Sequence, residues 1–275
     1  MILDGRELSK EIKENIKSKV ALLEKKPRID FLYFEDDKST EVYFNSSKKS
    51  AESMGMIGKL HNLSENTSEK DFLTLIEYLN EEKETNGIMI QAPLPKHIDK
   101  KKVYETISPD KDVDAISNVS LGRIFLGENK LIPCTVKSVM ALLKKTKIKI
   151  EGANAVVVGR SDIVGKPLAH LLLQKSATVT IAHSKTKNLK EICKQADILC
   201  VSIGKAEFIT EEYIKEGAIV IDIGINVLED GSIKGDVKFD EVSKLASFIT
   251  PNGVGSVTVA MLLDNLLYLY NLQNQ

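Results

Sequence analysis

Apolar and polar positions alternate along this chain with two periods. Leu8, Ile12, Ile16, Val20 and Leu23 recur at helical spacing, so residues 5–24 read as an amphipathic helix. Arg28–Phe34 (RIDFLYF) reads as a strand. A polar turn at Asp36–Thr40 leads into a helix from about Glu41 to Met54, capped by Thr40 and closed by Gly55. The next helix, about Glu69–Glu82, turns Phe72, Leu73, Ile76 and Leu79 inward. Gly87–Gln91 (GIMIQ) is a short buried strand, and Pro93 and Pro95 drive the chain out of the sheet. Helix and strand in alternation predict a parallel sheet with helical crossovers.

The same alternation resumes after a charged loop, Pro109–Ile116. A helix from Pro133–Thr135 to about Lys145 reads as the bridge between two domains. Strands follow at Ala155–Val158, Thr178–Ala182, Asp197–Ser202 and Ala218–Asp222. Gly204 and Gly224-Ile225-Asn226 lie just past two strand ends, where a doubly wound sheet lines its ligand crevice. A glycine loop, Thr250–Thr258 (TPNGVGSVT), precedes an apolar last helix over about Val257–Asn271. The fold class is therefore α/β, with two domains.

One stretch carries chemistry by its pattern alone. Ala155–Val158 is followed by Gly159, Gly165 and Pro167, the last where a first helical residue is expected, and Leu168, Leu171 and Leu172 continue at helical spacing. Strand, glycine turn and helix bring backbone N–H groups and a helix N-terminus to a pyrophosphate. The middle glycine of the usual dinucleotide fingerprint is Ser161 here. The following strand ends in His183-Ser184-Lys185-Thr186, where an NAD site usually places a carboxylate. Ser184, Lys185 and Arg160 suit a 2′-phosphate instead, which favours NADP over NAD. The bland alternative is an ordinary βαβ turn with a polar surface loop. Glycine spacing, Arg160 and the loop after the second strand all speak against it.

Composition narrows the function classes. A chain of 275 residues has room for two domains, and its net charge of −1 gives no general attraction to nucleic acid or anionic membrane. The N-terminus lacks an apolar signal core, and no run approaches the ~20 apolar residues of a membrane span. Three cysteines without metal-like spacing point to a reducing cytoplasm, and four scattered histidines predict no metal site.

Three further groups are candidates for a site. Tyr43 and Ser47 share a helix face at i and i+4, with Lys48 and Lys49 beside them. Gln91 stands at a strand end before two prolines, and Asp112 and Asp114 lie in the charged loop. Each has an ordinary reading. Tyr43 suits a half-buried core, the lysines a solvated face, Gln91 a loop backbone, and the two acids a turn.

Together these segments resemble the bifunctional methylenetetrahydrofolate dehydrogenase/cyclohydrolase (FolD) family over nearly the whole chain. The resemblance rests on DGRELSKEI, VYFNSSKKSAESMGM, GIMIQAPLP, PDKDVDAIS, PCTV, VVVGRSDIVGKP, AHSKT, GAIVIDIGIN, GDV at Gly235–Val237, and TPNGVGSVT. It implies two α/β domains across a cleft. Residues 1–135 form the folate-binding catalytic domain, and residues 136–256 form a Rossmann-type NADP domain. The C-terminal helix, 257–275, packs back on the first domain. It implies Tyr43 stacking on the folate, with Gln91 and Asp114 binding it. Gly159, Arg160, Ser161, Val164, Gly165, His183, Ser184, Gly204, Ile225 and Thr258 become the NADP set, Arg160 and Ser184 taking the phosphate. It also implies tetrahydrofolate derivatives as substrates and a homodimer.

Four positions depart from the family pattern. The family's lysine four residues after the tyrosine is Ser47, with Lys48 adjacent but about 100° round the helix. The glutamine motif has Ala92 for leucine, PCTV ends in Val136, and the TPNGVGS loop is two residues shorter. The dehydrogenase step asks for positioning and electrostatics. The cyclohydrolase step needs a general acid–base, which a serine cannot be, so the residues support oxidation more directly than hydrolysis. The rivals are an NADP dehydrogenase of another small substrate, of shikimate type, and a non-catalytic NADP-binding protein.

Overall fold

Arg28–Phe34 forms β1, buried from Ile29 onward as its apolar run predicts. It is the middle strand of a three-stranded parallel sheet ordered β2-β1-β3, with β2 at Ile57–Leu63 and β3 at Gly87–Ile90. The computed structural model describes residues 1–35, 38–250 and 254–274. Asp36 and Asp37 of the expected polar turn and Pro251–Gly253 of the glycine loop lie outside the described residues; residues 38–40 are already helical, so Thr40 lies inside that helix rather than capping it. The chain divides into two compact units.

The unit holding β1 comprises Lys10–Arg123, Glu128–Cys134 and Val259–Gln275. Most of α1 (Gly5–Ala21) belongs to it, with Ile16 and Val20 buried. α2 (Lys38–Ser53) crosses from β1 to β2, and α3 (Glu69–Glu81), capped by Ser68, crosses from β2 to β3. The apolar pattern does not predict β2. It is an edge strand that alternates between exposed and half-buried positions and carries Lys59, His61 and Asn62. α4 (Lys100–Thr106) and α5 (Asn118–Phe125) also lie in segments that the hydrophobic pattern does not single out. The buried Asp30 on β1 is held by His61 at 2.7 Å, Arg28 at 2.8 Å and Thr85 at 3.0 Å. Burial disfavours its charge, yet these partners keep its carboxyl below the usual range. The C-terminal segment packs onto this unit. Asn265 Nδ2 donates to Val113 O at 2.8 Å and Ile132 O at 3.0 Å, and the Tyr270 hydroxyl donates to Lys25 O at 2.8 Å.

The other unit comprises Met1–Ser9, Ile124–Gly127 and Thr135–Thr258. It runs α6 (Cys134–Thr146, after its first residue), β4 (Asn154–Val158), α7 (Gly165–Gln174), β5 (Thr178–Ala182) and α8 (Leu189–Cys193). β6 (Ile198–Val201), β7 (Ile219–Asp222), a two-stranded hairpin of β8 (Asn226–Val227) and β9 (Ile233–Lys234), α9 (Phe239–Val242) and β10 (Phe248–Ile249) follow. Its main sheet is parallel in the order β10-β7-β6-β4-β5, a Rossmann-type arrangement whose switch point lies between β4 and β6. Val156, Val158, Leu199, Val201, Val220 and Ile249 form part of its core. α7 starts at Gly165, so Pro167 is its third residue rather than its first. Its missing N–H still falls in the first turn, where no intrahelical partner exists. α10 (Val254–Gln273) begins three residues before the expected start. Among the described residues, no helix is long and apolar enough to cross a membrane, and no cluster of three or more His, Cys, Asp or Glu is placed to hold a metal.

Candidate active site

Phe44 anchors the tyrosine helix. It is buried, stacks on Tyr33 with ring centroids 5.2 Å apart, and meets Phe31 edge-on at 5.7 Å. That contact fixes the rotation of α2 and leaves the adjacent Tyr43 ring 36% exposed. Burial of its hydroxyl, then the negative charge of Asp114, holds the Tyr43 phenol far above the ordinary tyrosine range. One turn on, Ser47 is fully buried and its Oγ has no hydrogen-bond partner. The hydroxyl lies near enough to Tyr43 to favour the phenolate slightly but outside bonding geometry. Lys48 takes another direction, toward Glu52 at 3.7 Å. Lys49 is exposed.

The two acids of the charged loop differ in role. Asp112 is fully buried and accepts from the N–H groups of Ile116 at 3.0 Å and Ser117 at 2.7 Å. It closes the turn, which is its ordinary reading. Asp114 is half-buried, and its Oδ1 accepts from Cys134 N at 3.0 Å. Burial pushes its carboxyl up to about 6, against the pull of that N–H. Ile88 bridges in parallel to Asp112, and Asp114 follows two residues on, in the turn that Ala115 N closes onto Asp112 O at 3.1 Å. Gln91 is buried, and its Oε1 accepts from Phe34 N at 2.7 Å, tying the end of β3 to the end of β1. The Ile88 bridge ties the loop bearing Asp114 to β3, the strand Gln91 follows, and Asp114 lies within electrostatic reach of Tyr43.

In the other unit, Gly159 has φ +135°, and a Cβ there would lie 2.3 Å from Ser202 O. A Cβ on Gly165 would lie 2.3 Å from Gly159 O. Both positions therefore admit only glycine, as the fingerprint requires. Ser161 holds the turn together, because its Oγ accepts from Val164 N and Gly165 N, each at 3.2 Å. A glycine at this position would leave both donors without that partner. A cavity of about 480 Å³ opens beside this turn, lined by Gly159, Arg160, His183, Ser184, Thr186 and Lys205 among others. The loop after β5 is preformed. Thr186 Oγ1 accepts from His183 N at 2.8 Å, and His183 Nδ1 accepts from Lys185 N at 3.1 Å, which leaves Nε2 to carry the ring proton.

Of the ten nucleotide-site residues predicted, Gly159, Arg160, His183 and Ser184 line this cavity. Ser161, Val164 and Gly165 build the turn behind it, and Gly204 sits between two lining residues, Ile203 and Lys205. Ile225 is exposed and reaches Gly255, while Thr258 bonds Val254 O at 2.9 Å on the first turn of α10. The sequence pattern does not single out Lys205, Phe208 and Tyr213, although Lys205 directly follows the strand-end Gly204. Two cationic side chains, several hydroxyls and an imidazole around one cavity, beside a turn that excludes any Cβ, fit a phosphate-bearing dinucleotide.

Residues 3–114 match the catalytic domain, and residues 133–274 the NAD(P)-binding domain, of tetrahydrofolate dehydrogenase/cyclohydrolase. The "Bifunctional protein FolD" of Brachyspira hyodysenteriae is 80% identical over 271 residues, covering 98% of this chain and 96% of its own. A crystal structure of the FolD dehydrogenase/cyclohydrolase of Campylobacter jejuni superposes with a TM-score of 0.95 at 41% identity, covering 98% of this chain and 99% of its own. The Trypanosoma brucei enzyme, complexed with NADP cofactor and inhibitor, gives 0.96 at 34% identity, covering 100% of this chain and 98% of its own. A tyrosine helix seated on β1, an aspartate loop bridged to β3 with a glutamine just past that strand, and a glycine turn beside a cationic cavity thus sit in a chain matched at both ends: it belongs to the tetrahydrofolate dehydrogenase/cyclohydrolase family.

Proposed function

We infer that this chain is an NADP-dependent methylenetetrahydrofolate dehydrogenase of one-carbon folate metabolism, oxidising 5,10-methylenetetrahydrofolate to the 5,10-methenyl compound. The observation that carries this reading is the cavity lined by Arg160, His183, Ser184 and Lys205, in a chain matched over both domains of the family. Arg160 and Ser184 hold the 2′-phosphate, and the turn from Gly159 to Gly165 leaves room for the pyrophosphate. When bound, the cofactor supplies a nicotinamide that accepts hydride. Tyr43 offers its ring face to the folate, while Asp114 and Gln91 orient it. The methenyl product is a cation, so a carboxylate at Asp114 also favours charge that develops during oxidation. The match to both family domains sets aside the shikimate-type reading and the non-catalytic one.

Hydrolysis of the methenyl compound to 10-formyltetrahydrofolate is the family's second activity, and here it lacks a lysine at position 47. Ser47 stands in the lysine's place and Lys48 turns toward Glu52, so oxidation runs ahead of hydrolysis. Incubating the purified protein with methylenetetrahydrofolate and NADP tests the reading: NADPH absorbance rises, whereas no reduced cofactor with either NADP or NAD would refute it.

The protein works as a homodimer in this reading. β5 is an edge strand, and on it or beside it Phe125, Leu173 and Ile181 are 56%, 56% and 40% exposed around one shallow pocket. An unpaired edge bordered by apolar side chains is a surface that seeks a partner. Light scattering of wild type and Ile181→Lys tests this, with dimer and monomer expected; a monomeric wild type refutes it. Its three cysteines are buried thiols, none in a disulfide, which fits a reducing compartment such as the cytoplasm.

A further inference from the structure

Two acids, Asp222 at the end of β7 and Asp236 just after β9, are buried without any cationic partner among the described residues, at 8% and 0% exposure. A buried carboxylate needs its lone pairs filled, and here backbone N–H groups fill them. Asp222 accepts from Gly224 N, Asp236 N and Val237 N, each at 3.0 Å. Asp236 in turn accepts from Ile203 N at 2.6 Å, Gly204 N at 3.1 Å and Lys205 N at 2.8 Å, with Asn226 Nδ2 at 3.0 Å as a fourth donor. The fit is tight. A Cβ on Gly235 would lie 1.8 Å from Asp222 Oδ2, and one on Gly224 would lie 2.2 Å from Asp236 Cγ.

Three consecutive N–H groups converging on one point make an anion-binding nest. In a loop after a sheet strand, such a nest is available to a ligand phosphate. Here the chain fills it with its own carboxylate. The loop so gripped bears Ile203 and Lys205, both on the wall of the 480 Å³ cavity. Backbone bonds support the grip, from Glu207 N to Gly235 O and from Ile209 N to Asp236 O, each at 2.9 Å. The ammonium of Lys205 lies 5.3 Å from the centre of the Phe208 ring, which also lines the cavity.

We propose that Asp236, seated by Asp222, is a positioning residue for NADP: its carboxylate holds the 203–205 turn in the shape that presents Ile203 and Lys205 to the cofactor. This rests on the cavity being the NADP site. Asp236 touches no ligand itself in this role, so its loss acts on cofactor affinity and spares the chemical step.

Calorimetric titration of NADP into wild type, Asp236→Asn and Asp236→Ala tests it. An asparagine turns an amide toward N–H donors, and an alanine leaves the nest empty. Each is expected to weaken NADP about tenfold, as expected for leaving buried donors unpaired. kcat at saturating NADP stays within about twofold and KM for the folate is unchanged. Formate, entering the vacated nest of Asp236→Ala, restores most of the affinity. NADP binding within about twofold of wild type in both variants overturns the proposal. So does a loss that formate leaves untouched, since Asp236 then serves the fold alone. Should neither variant fold, Asn226→Ala removes a single donor; a rise in Kd of about two- to threefold supports the proposal and an unchanged Kd overturns it. A wild type that binds no NADP refutes the functional reading instead, which separates the two failures.

Discussion

Lys48 lies across Gly58: a Cβ built on that glycine would sit 2.8 Å from the lysine's Cγ. Its ammonium ends 3.7 Å from Glu52, one turn along the same helix. Lys48 therefore belongs to the seam between α2 and β2, while Ser47 is buried near Tyr43. Swinging Lys48 into the place of the family lysine requires turning α2 by about 100°, and the stack of Phe44 on Tyr33 resists that. Lys48→Ala is expected to leave methenyltetrahydrofolate hydrolysis within about twofold of wild type. Decay of the methenyl chromophore above the buffer background measures it; a collapse of the rate would make Lys48 the acid–base group.

Under the proposed function, Asp114 sets folate binding against stability. Its folded-state carboxyl titrates near 6, above the ordinary carboxylate range, because it is withdrawn from water. The folded protein then binds this proton more tightly than the unfolded chain does. Stability accordingly falls as pH rises through the window from about 4 to 6, and the full penalty is present above it. Asp114→Asn removes the penalty. We expect the variant to be more stable than wild type at neutral pH by about 1–2 kcal/mol, discounted for partial exposure, with the gain fading toward about pH 4. It should nonetheless lose most folate turnover while NADP affinity holds. Urea melts at several pH values together with kcat/KM test both halves, and a variant with wild-type kcat/KM would return Asp114 to a turn-forming role.

Asp114 and Asp236 also show what is legible in a sequence. Strands β1, β3, β4 and β5 are readable there because runs of apolar and β-branched residues mark them. β2 is not, since an edge strand keeps polar residues such as Lys59 and His61 in its alternation. The glycine turn is readable because close backbone approach forbids any other residue. Asp236 is hidden for the opposite reason. An acid just after a hairpin that turns at Asp230-Gly231 looks like surface, and only the fold carries its carboxylate to N–H groups 31 to 33 residues earlier. The roles of Asp112 and Asp114 are likewise inseparable by spacing: one faces its own turn, the other Cys134, 20 residues on.

In the proposed reading, Arg160 is the residue that sets cofactor choice. Its side chain lines the cavity together with Ser184, and among the described residues no carboxylate lines that cavity to favour a ribose hydroxyl over a phosphate. Arg160→Ala is expected to weaken NADP by about 1.5–3 kcal/mol and NAD far less. Parallel titrations with the two nucleotides decide it. An equal loss for both would assign Arg160 to the pyrophosphate.

Ser47 has the greatest leverage on activity. Its hydroxyl is buried and unpartnered, one turn from a tyrosine whose phenol stays protonated, so neither group serves as a general base for water attack. Hydride transfer needs no such base, so wild type should oxidise methylenetetrahydrofolate and hydrolyse the methenyl product slowly. Ser47→Lys places an amine where burial lowers its pKa toward neutrality and the Asp114 charge limits that fall. Overpacking at a fully buried site is expected to cost about 1–3 kcal/mol, which a thermal melt will show. Hydrolysis should rise by about 10²–10⁴-fold, the usual contribution of a positioned acid–base group, with oxidation changing far less. The new ammonium should also draw the apparent Asp114 pKa down from about 6, a shift visible in the pH dependence of folate turnover. Brisk wild-type hydrolysis that survives both Lys48→Ala and Lys49→Ala would place the acid–base group outside α2 and remove the basis for expecting any gain from Ser47→Lys.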